Sequence, residues 1–151
     1  SGLLLAGAGI ERLNMHDTIA EYLPVDRHVP SCAQGAIAVQ CRSKDIELRA
    51  KLRKINHKAT EVATGIERKL VSMLGAQCHC PLGVHASFVS EKQVRVYVML
   101  AYEDGEKPIF EQVVMRVDDD YDVDMQLHSL IKRLMEKGAD DILCYYQSLE
   151  C

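Results

Sequence analysis

The stretch Gln93-Val-Arg-Val-Tyr-Val-Met-Leu100 decides the fold of the second half of the chain. Val94, Val96, Val98 and Leu100 take every second position, and the residues between them are Arg95, Tyr97 and Met99. Successive side chains of a β-strand point to opposite faces, so this alternation predicts a strand over about 93–102.

The segments on either side predict the rest of this unit. Two more strands are expected over about 84–89 and 109–117, and Glu103-Asp-Gly-Glu106 between two of the strands has turn composition. A helix over 58–73 precedes the strands, and a helix over 123–136 with a short final helix follows them. The order predicts an α+β fold, in which helices pack on one face of a small three-stranded antiparallel sheet.

The first third of the chain predicts shorter elements. Leu3-Leu4-Leu5 and Ala36-Ile-Ala-Val-Gln-Cys41 are short apolar runs, which predict two buried strands. One helical turn is expected over 10–14. A helix over 44–55, with Ser43 as its N-cap, completes this part.

Composition narrows the class of protein. The chain has 151 residues, of which 48% are apolar and 26% charged, and its net charge is −4. It can bury a core, and it lacks the basic excess expected of a nucleic-acid-binding surface. No apolar run approaches the ~18 residues of a membrane span. The apolar start lacks the basic region of a signal peptide, and the absence of an initial Met predicts a fragment.

Six cysteines occur, at positions 32, 41, 78, 80, 144 and 151. The chain is longer than small disulfide scaffolds, so reduced thiols in a cytoplasmic protein are expected.

The densest group of reactive side chains is Cys78-His79-Cys80, with His85 nearby. Three interpretations are open: ordinary loop thiols, a metal site, or a nucleophile activated by a histidine. Cys-x-Cys is not the usual zinc spacing. Adjacent residues of an extended chain point apart, so His79 is poorly placed to activate Cys78.

Four segments of the sequence form a series of motifs. They are Leu5-Ala-Gly-Ala-Gly-Ile-Glu-Arg-Leu13, Pro30-Ser-Cys-Ala-Gln-Gly-Ala-Ile-Ala-Val-Gln-Cys-Arg42, Asn56-His57 with Glu67-Arg68, and Cys78-His-Cys-Pro-Leu-Gly83. In order and without gaps, they resemble the motifs LAxAGLxRL, P-x-x-GQGA-x-x-x-ECR, NH…ER and GCxxPIG of the porphobilinogen deaminase (hydroxymethylbilane synthase) family.

The resemblance implies a function. The family enzyme condenses four porphobilinogen molecules into hydroxymethylbilane with release of ammonia, a step of tetrapyrrole (haem) biosynthesis. It carries the growing oligopyrrole on a dipyrromethane cofactor, joined by a thioether to the loop cysteine, here Cys78. The expected partners are porphobilinogen and the growing chain, with no nucleic acid and no membrane. The parent enzyme is expected to be a cytoplasmic monomer.

The resemblance also assigns site residues. Arg12 matches an arginine that pairs with the pyrrole carboxylates, and Ala6 and Gly9 match small residues whose backbone lines that site. Gln34 lies in the family's hinge region near the cofactor. No catalytic residue and no metal ligand is expected in this fragment, because the family's catalytic Asp lies in the N-terminal half.

The family fold divides the chain into three parts. Residues 1–30 correspond to the end of the second α/β lobe, and residues 31–56 to the crossover and the end of the first; both lobes are like periplasmic binding proteins. Residues 57–151 correspond to the C-terminal α+β domain that anchors the cofactor. The fragment alone is expected to be inactive and free of cofactor. Residues 1–56 are expected to be disordered or to pair with a strand of another molecule.

Departures from the family pattern keep alternatives open. Ala76-Gln77 replaces the family's Gly-Gly, and Ala33 replaces the first Gly of GQG. Cys80 is an extra thiol that could compete for the cofactor or form a disulfide. The alternatives are a degenerate paralogue and a metal-binding interaction module that uses Cys78, Cys80 and His85.

Overall fold

The alternating stretch forms the central strand of a three-stranded antiparallel sheet. The computed structural model describes residues 2–76, 79–118 and 122–148. Its elements are, in chain order, α1 (Gly7–Arg12), a 3₁₀ turn (His16–Thr18), α2 (Ile46–Arg53), α3 (Lys58–Leu74), β1 (Leu82–Ser90), β2 (Gln93–Leu100), β3 (Ile109–Arg116), α4 (Val123–Glu136) and α5 (Ala139–Ser148).

The sheet has the order β1-β2-β3. Val96 of β2 lies opposite Ala86 of β1 and Val113 of β3. The apolar side chains of β2 are buried on the face that α3 and α4 cover. This arrangement confirms the predicted α+β fold with helices packed on one face of a small antiparallel sheet.

The helices bury one apolar stripe each. In α3 the stripe includes Ile66, Leu70 and Leu74, at the three- and four-residue spacing that places side chains on one face. The His57 side chain caps the start of α3 by accepting a hydrogen bond from the Thr60 amide, and Gly75 ends it with a φ of 62°. No helix in the described ranges is both long and apolar enough to cross a membrane.

The two buried strands predicted for the first third are wrong. Leu3 and Leu4 are 89% and 79% exposed and form no strand. Ala36–Cys41 is also outside any strand, and its Ile37 is 82% exposed. A strand is stable only where a neighbouring strand pairs with its backbone and a packed layer covers its side chains. Every strand of the described sheet comes from the second half of the chain, so these runs have no such neighbour there.

The predicted helices of this region are shifted. The helical turn expected over 10–14 is instead α1, which begins at Gly7. The N-cap of α2 is Asp45 rather than Ser43: the Asp45 carboxylate accepts a hydrogen bond from the Leu48 amide at 3.0 Å. An aspartate immediately before the first turn caps as well as a serine does, and its charge also suits a helix N-terminus.

Candidate functional site

The predicted anchor loop connects α3 to β1. Gln77 and Cys78 lie outside the described residues, so the Cys78 prediction is not tested by the structure. The described part of the loop is fixed by backbone hydrogen bonds: the Leu82 amide donates to the Cys80 carbonyl at 2.7 Å, and the Ala101 amide donates to the Pro81 carbonyl at 3.2 Å. These contacts hold the loop's C-terminal end at the start of the sheet.

Cys80 does not fit the role of a competing anchor. Its side chain belongs to the hydrophobic core, and the residue is 8% exposed. Burial raises the pKa of the Cys80 thiol, because a thiolate loses hydration in an apolar environment. The thiolate is the form that attacks carbon, so this shift makes Cys80 less reactive than an exposed cysteine.

A metal site that uses Cys80 and His85 is not supported either. Nδ1 of His85 lies 3.8 Å from Oε1 of Glu67, which places the imidazole beside a carboxylate. Within residues 2–76, 79–118 and 122–148, no three His, Cys, Asp or Glu side chains are grouped closely enough to hold a metal ion.

Glu67 is a buried glutamate to which the sequence gave no role. It is 4% exposed, on the buried face of α3. One carboxylate oxygen accepts a hydrogen bond from the Ala86 amide of β1 at 2.7 Å, and the other accepts one from the Ala33 amide at 2.6 Å. The sequence does contain one indication of this contact. Glu67 lies three residues before Leu70, which places a charged residue on the apolar stripe of α3.

The segment 29–33 lies against the free edge of β1. The Val84 amide donates to the Pro30 carbonyl at 2.9 Å, and Val29 is the one buried hydrophobic residue of the described chain before α3. A Cβ on Gly83 would be 2.4 Å from the Val29 carbonyl oxygen, so only glycine permits this approach. We call this contact, made by Glu67, Gly83 and Val84 with residues 29–33, the β1-edge contact.

Ala33 has an unusual backbone conformation. Its φ is 59°, in the left-handed region that glycine adopts readily and that costs an alanine about 1–2 kcal/mol. Gly35, two residues on, has a φ of 82°. The family motif has a glycine at position 33. In this chain an alanine adopts the left-handed conformation that would suit that glycine.

The predicted cofactor-binding residues lie on the surface, around α1 and the Gln34 loop. Ala6 immediately precedes α1, Gly9 is inside it and Arg12 is its last residue. All three are exposed, and so is Gln34. A Cβ on Gly35 would lie 3.9 Å from the Ala8 Cβ, so the structure brings the Gln34 loop beside α1.

Tyr22 packs beside α1 and makes two contacts with it. The Tyr22 hydroxyl donates a hydrogen bond to a carboxylate oxygen of Glu11 at 3.1 Å. A Cβ on Gly7 would lie 3.3 Å from a ring carbon of Tyr22, so the ring packs on the start of the helix. Desolvation, and then the Glu11 carboxylate, raise the pKa of Tyr22. None of the described acidic residues forms an ion pair with Arg12.

Cys32, next to Ala33, is not an activated thiol. Burial raises its pKa, and so does the charge of Glu67, while the Arg68 guanidinium acts in the opposite direction. Cys32, Cys41, Cys80 and Cys144 are all free thiols.

Two family models match the chain. Residues 1–50 match "Porphobilinogen deaminase, dipyromethane cofactor binding domain" and residues 61–132 match "Porphobilinogen deaminase, C-terminal domain". Ala6, Gly9, Arg12 and Gln34 fall in the first matched region, and Cys78 falls in the second.

Curated relatives match both regions together. Porphobilinogen deaminase of Alkaliphilus metalliredigens is 34% identical over 142 residues, which are 94% of this chain and 44% of the relative. The enzyme of Desulforamulus reducens is also 34% identical, over 94% of the chain and 45% of the relative. That of Legionella pneumophila (strain Paris) is 28% identical over 93% of the chain and 45% of the relative. The chain thus spans less than half the length of these relatives, and it belongs to the porphobilinogen deaminase family.

Proposed function

We propose that this chain is the C-terminal part of a porphobilinogen deaminase (hydroxymethylbilane synthase). This transferase condenses four porphobilinogen molecules head to tail. Each condensation forms one carbon–carbon bond and releases one ammonia, and water releases the product as hydroxymethylbilane. The observation that carries the proposal is the match to curated deaminases across 94% of the chain, through both matched regions at once.

Cys78 is proposed as the anchor of the dipyrromethane cofactor, through a thioether. The cofactor supplies the covalent attachment point on which the oligopyrrole is built. In the sequence, Cys78 falls between the end of α3 at Leu74 and the start of β1 at Leu82. Cys80, two residues on, is buried in the core and burial raises the pKa of its thiol, which favours Cys78 over Cys80 for this role.

Arg12 is proposed to bind the acetate and propionate carboxylates of the pyrroles. A guanidinium binds carboxylates through two parallel hydrogen bonds, and the exposed position of Arg12 at the end of α1 leaves it free to do so. Ala6 and Gly9 would let the backbone approach the pyrroles, because neither has a bulky side chain. Gln34 would contact the cofactor from the loop that lies beside α1.

The domain arrangement of the parent enzyme is part of the proposal. Residues 1–30 and 31–56 would end the second and first lobes, and residues 57–151 would form the anchoring domain. The catalytic aspartate would come from outside this chain, so the 151-residue chain is expected to be inactive and free of cofactor. The parent enzyme is proposed to be a cytoplasmic monomer.

The denatured intact mass of the parent enzyme tests the anchor directly. The wild-type protein should show an excess mass of two pyrrole units, because a thioether survives denaturation. Cys78→Ser should lose this excess, and the matched control Cys80→Ser should keep it. No excess mass in the wild type, or loss with Cys80→Ser alone, would contradict the proposal; the first result would point to a degenerate paralogue.

A further inference from the structure

We propose that Glu67 is a positioning residue, which sets the orientation of the cofactor-anchor loop relative to the lobes of the enzyme. The inference rests on the proposed function, because it assumes that the loop carries the growing chain. It adds that a buried carboxylate, which lies outside the cofactor-binding surface, helps to position the reacting groups.

Glu67 joins the two elements that flank the anchor loop. The loop leaves the end of α3 and enters the sheet at β1, and Glu67 of α3 accepts a hydrogen bond from the Ala86 amide of β1 at 2.7 Å. A hydrogen bond to a buried carboxylate is shorter and stronger than one between neutral groups. The base of the loop is therefore closed by a contact between the elements on its two sides.

The second oxygen of the same carboxylate holds the segment that leads to the lobes. It accepts a hydrogen bond from the Ala33 amide at 2.6 Å, next to Gln34. The Val84–Pro30 hydrogen bond and the glycine at position 83 fix the same segment to the edge of β1. One side chain thus connects the elements around the anchor loop to the segment that carries Gln34.

The conformation of Ala33 shows that this contact is specific. A residue with a Cβ stays at a φ of 59° only where its surroundings determine the backbone strongly. The bond from its amide to Glu67 supplies such a constraint. Strained backbone of this kind concentrates at functional sites, because it fixes a geometry that the relaxed chain would not keep.

The charge of Glu67 suits this double role. A carboxylate has two acceptor oxygens, one for each amide. Glutamine has the same shape but one acceptor, and its NH₂ group would face the second amide N–H. Glu67→Gln therefore keeps the side-chain volume and breaks one of the two connections.

Such a change should alter turnover more than binding. Condensation requires the free end of the anchored chain to meet the next substrate in the cleft between the lobes. A displacement of about 1 Å between reacting groups can cost about 10²-fold in rate. Substrate affinity depends on the lobes themselves and should change little.

The first test compares parent enzymes that carry Glu67→Gln or the control Glu136→Gln, an exposed glutamate of α4. Cofactor loading is measured by denatured intact mass, and kcat and KM are expressed per loaded molecule. Glu67→Gln should load the cofactor, lose at least about tenfold in kcat, and keep its KM; Glu136→Gln should match the wild type. An unchanged kcat per loaded molecule, or failure to load or fold, would overturn the positioning role. An unloaded wild type would instead overturn the proposed function.

The second test uses amide hydrogen exchange in the 151-residue wild-type chain, and so does not depend on a variant. The Ala33 amide should exchange at least tenfold more slowly than the amide of the exposed Ile37. Equal exchange of the two amides would overturn the proposal, because the Glu67–Ala33 bond would then not persist in solution.

Discussion

Residues 58–148 and residues 2–56 differ in how far their apolar side chains are buried. In the first region, the alternating and helical patterns bury a continuous core of Leu, Ile, Val, Ala, Met, Tyr and Cys side chains. In the second, Leu3, Ile37 and Ile55 are more than 70% exposed. Apolar runs of similar composition are present in both. The difference teaches that such a run forms a strand only where the same folded unit supplies its neighbours.

The β1-edge contact is where the two regions meet. Val29 is buried there, because the edge of β1 has a backbone amide that bonds to Pro30 and a glycine without a side chain, and α3 supplies the Glu67 carboxylate. Substitutions in the two regions and at the contact between them should therefore differ in their effect on stability.

Leu70→Ala should have the largest effect, because Leu70 is fully buried in the packed region. The free energy of unfolding should fall by roughly 3–5 kcal/mol, from lost burial and the cavity left behind. The matched change in the other region, Ile37→Ala, should alter it by less than about 0.5 kcal/mol. Urea denaturation of the 151-residue chain gives both values. Equal effects would contradict the division into two regions.

Glu67→Ala should come next, with a loss of about 2–3 kcal/mol, because the buried Ala86 amide and the partly buried Ala33 amide would be left without their acceptor. The control Glu136→Ala removes a solvent-exposed carboxylate and should have little effect. Denaturation midpoints measure the pair. A loss no larger than that of the control would mean that water replaces the carboxylate.

Gly83→Ala should cost about 2 kcal/mol, because its Cβ would overlap the Val29 carbonyl and push residues 29–33 off the edge of β1. Gly65→Ala is the matched control. Position 65 is inside α3 with nothing within 4 Å of the added Cβ, so that change should stabilise the chain by up to about 1 kcal/mol. Thermal unfolding should show opposite signs, and a shared sign would contradict the packing of the β1-edge contact.

Ala33→Gly should stabilise the chain by about 1 kcal/mol. The change removes the cost of a left-handed φ for a residue with a Cβ, which exceeds the extra chain entropy that glycine loses on folding. Ala36→Gly, in the exposed segment, serves as control and should not stabilise. A neutral or destabilising Ala33→Gly would mean that residue 33 does not keep this conformation in solution.

The smallest effect should be on pH dependence. Burial raises the pKa of Cys80 above its value in the unfolded chain, so above about pH 9 the unfolded state releases this proton first. Stability should therefore fall as pH rises through this range. Denaturation midpoints between pH 8 and 10 should fall less steeply for Cys80→Ala than for the wild type. An equally steep fall in Cys80→Ala would contradict this prediction.

The sequence was sufficient to predict the elements whose apolar residues recur periodically and whose packing neighbours belong to the same part of the chain. It predicted β1, β2, β3, α3 and α4 to within a few residues, because their apolar spacing matches their final environment. It gave buried strands at Leu3–Leu5 and Ala36–Cys41, since periodicity cannot reveal whether a partner strand exists. The family motifs gave Cys78 and Arg12 as candidate site residues, and both stay predictions. The motifs did not reveal the hydrogen bonds of Glu67, because its carboxylate bonds to two amides that are 34 and 19 residues away.

Residue-resolved amide exchange of the 151-residue chain tests the central claim most directly: one region folds on its own core, and the other is held to it at the β1-edge contact. Amides of α3, the three strands and α4 should exchange slowly. Those of α1 and α2 should exchange quickly, because short helices without a packed face are marginal in water. Ala33 should be the slow exception among residues 2–56. Equally slow exchange in α1, α2 and the sheet would contradict the account.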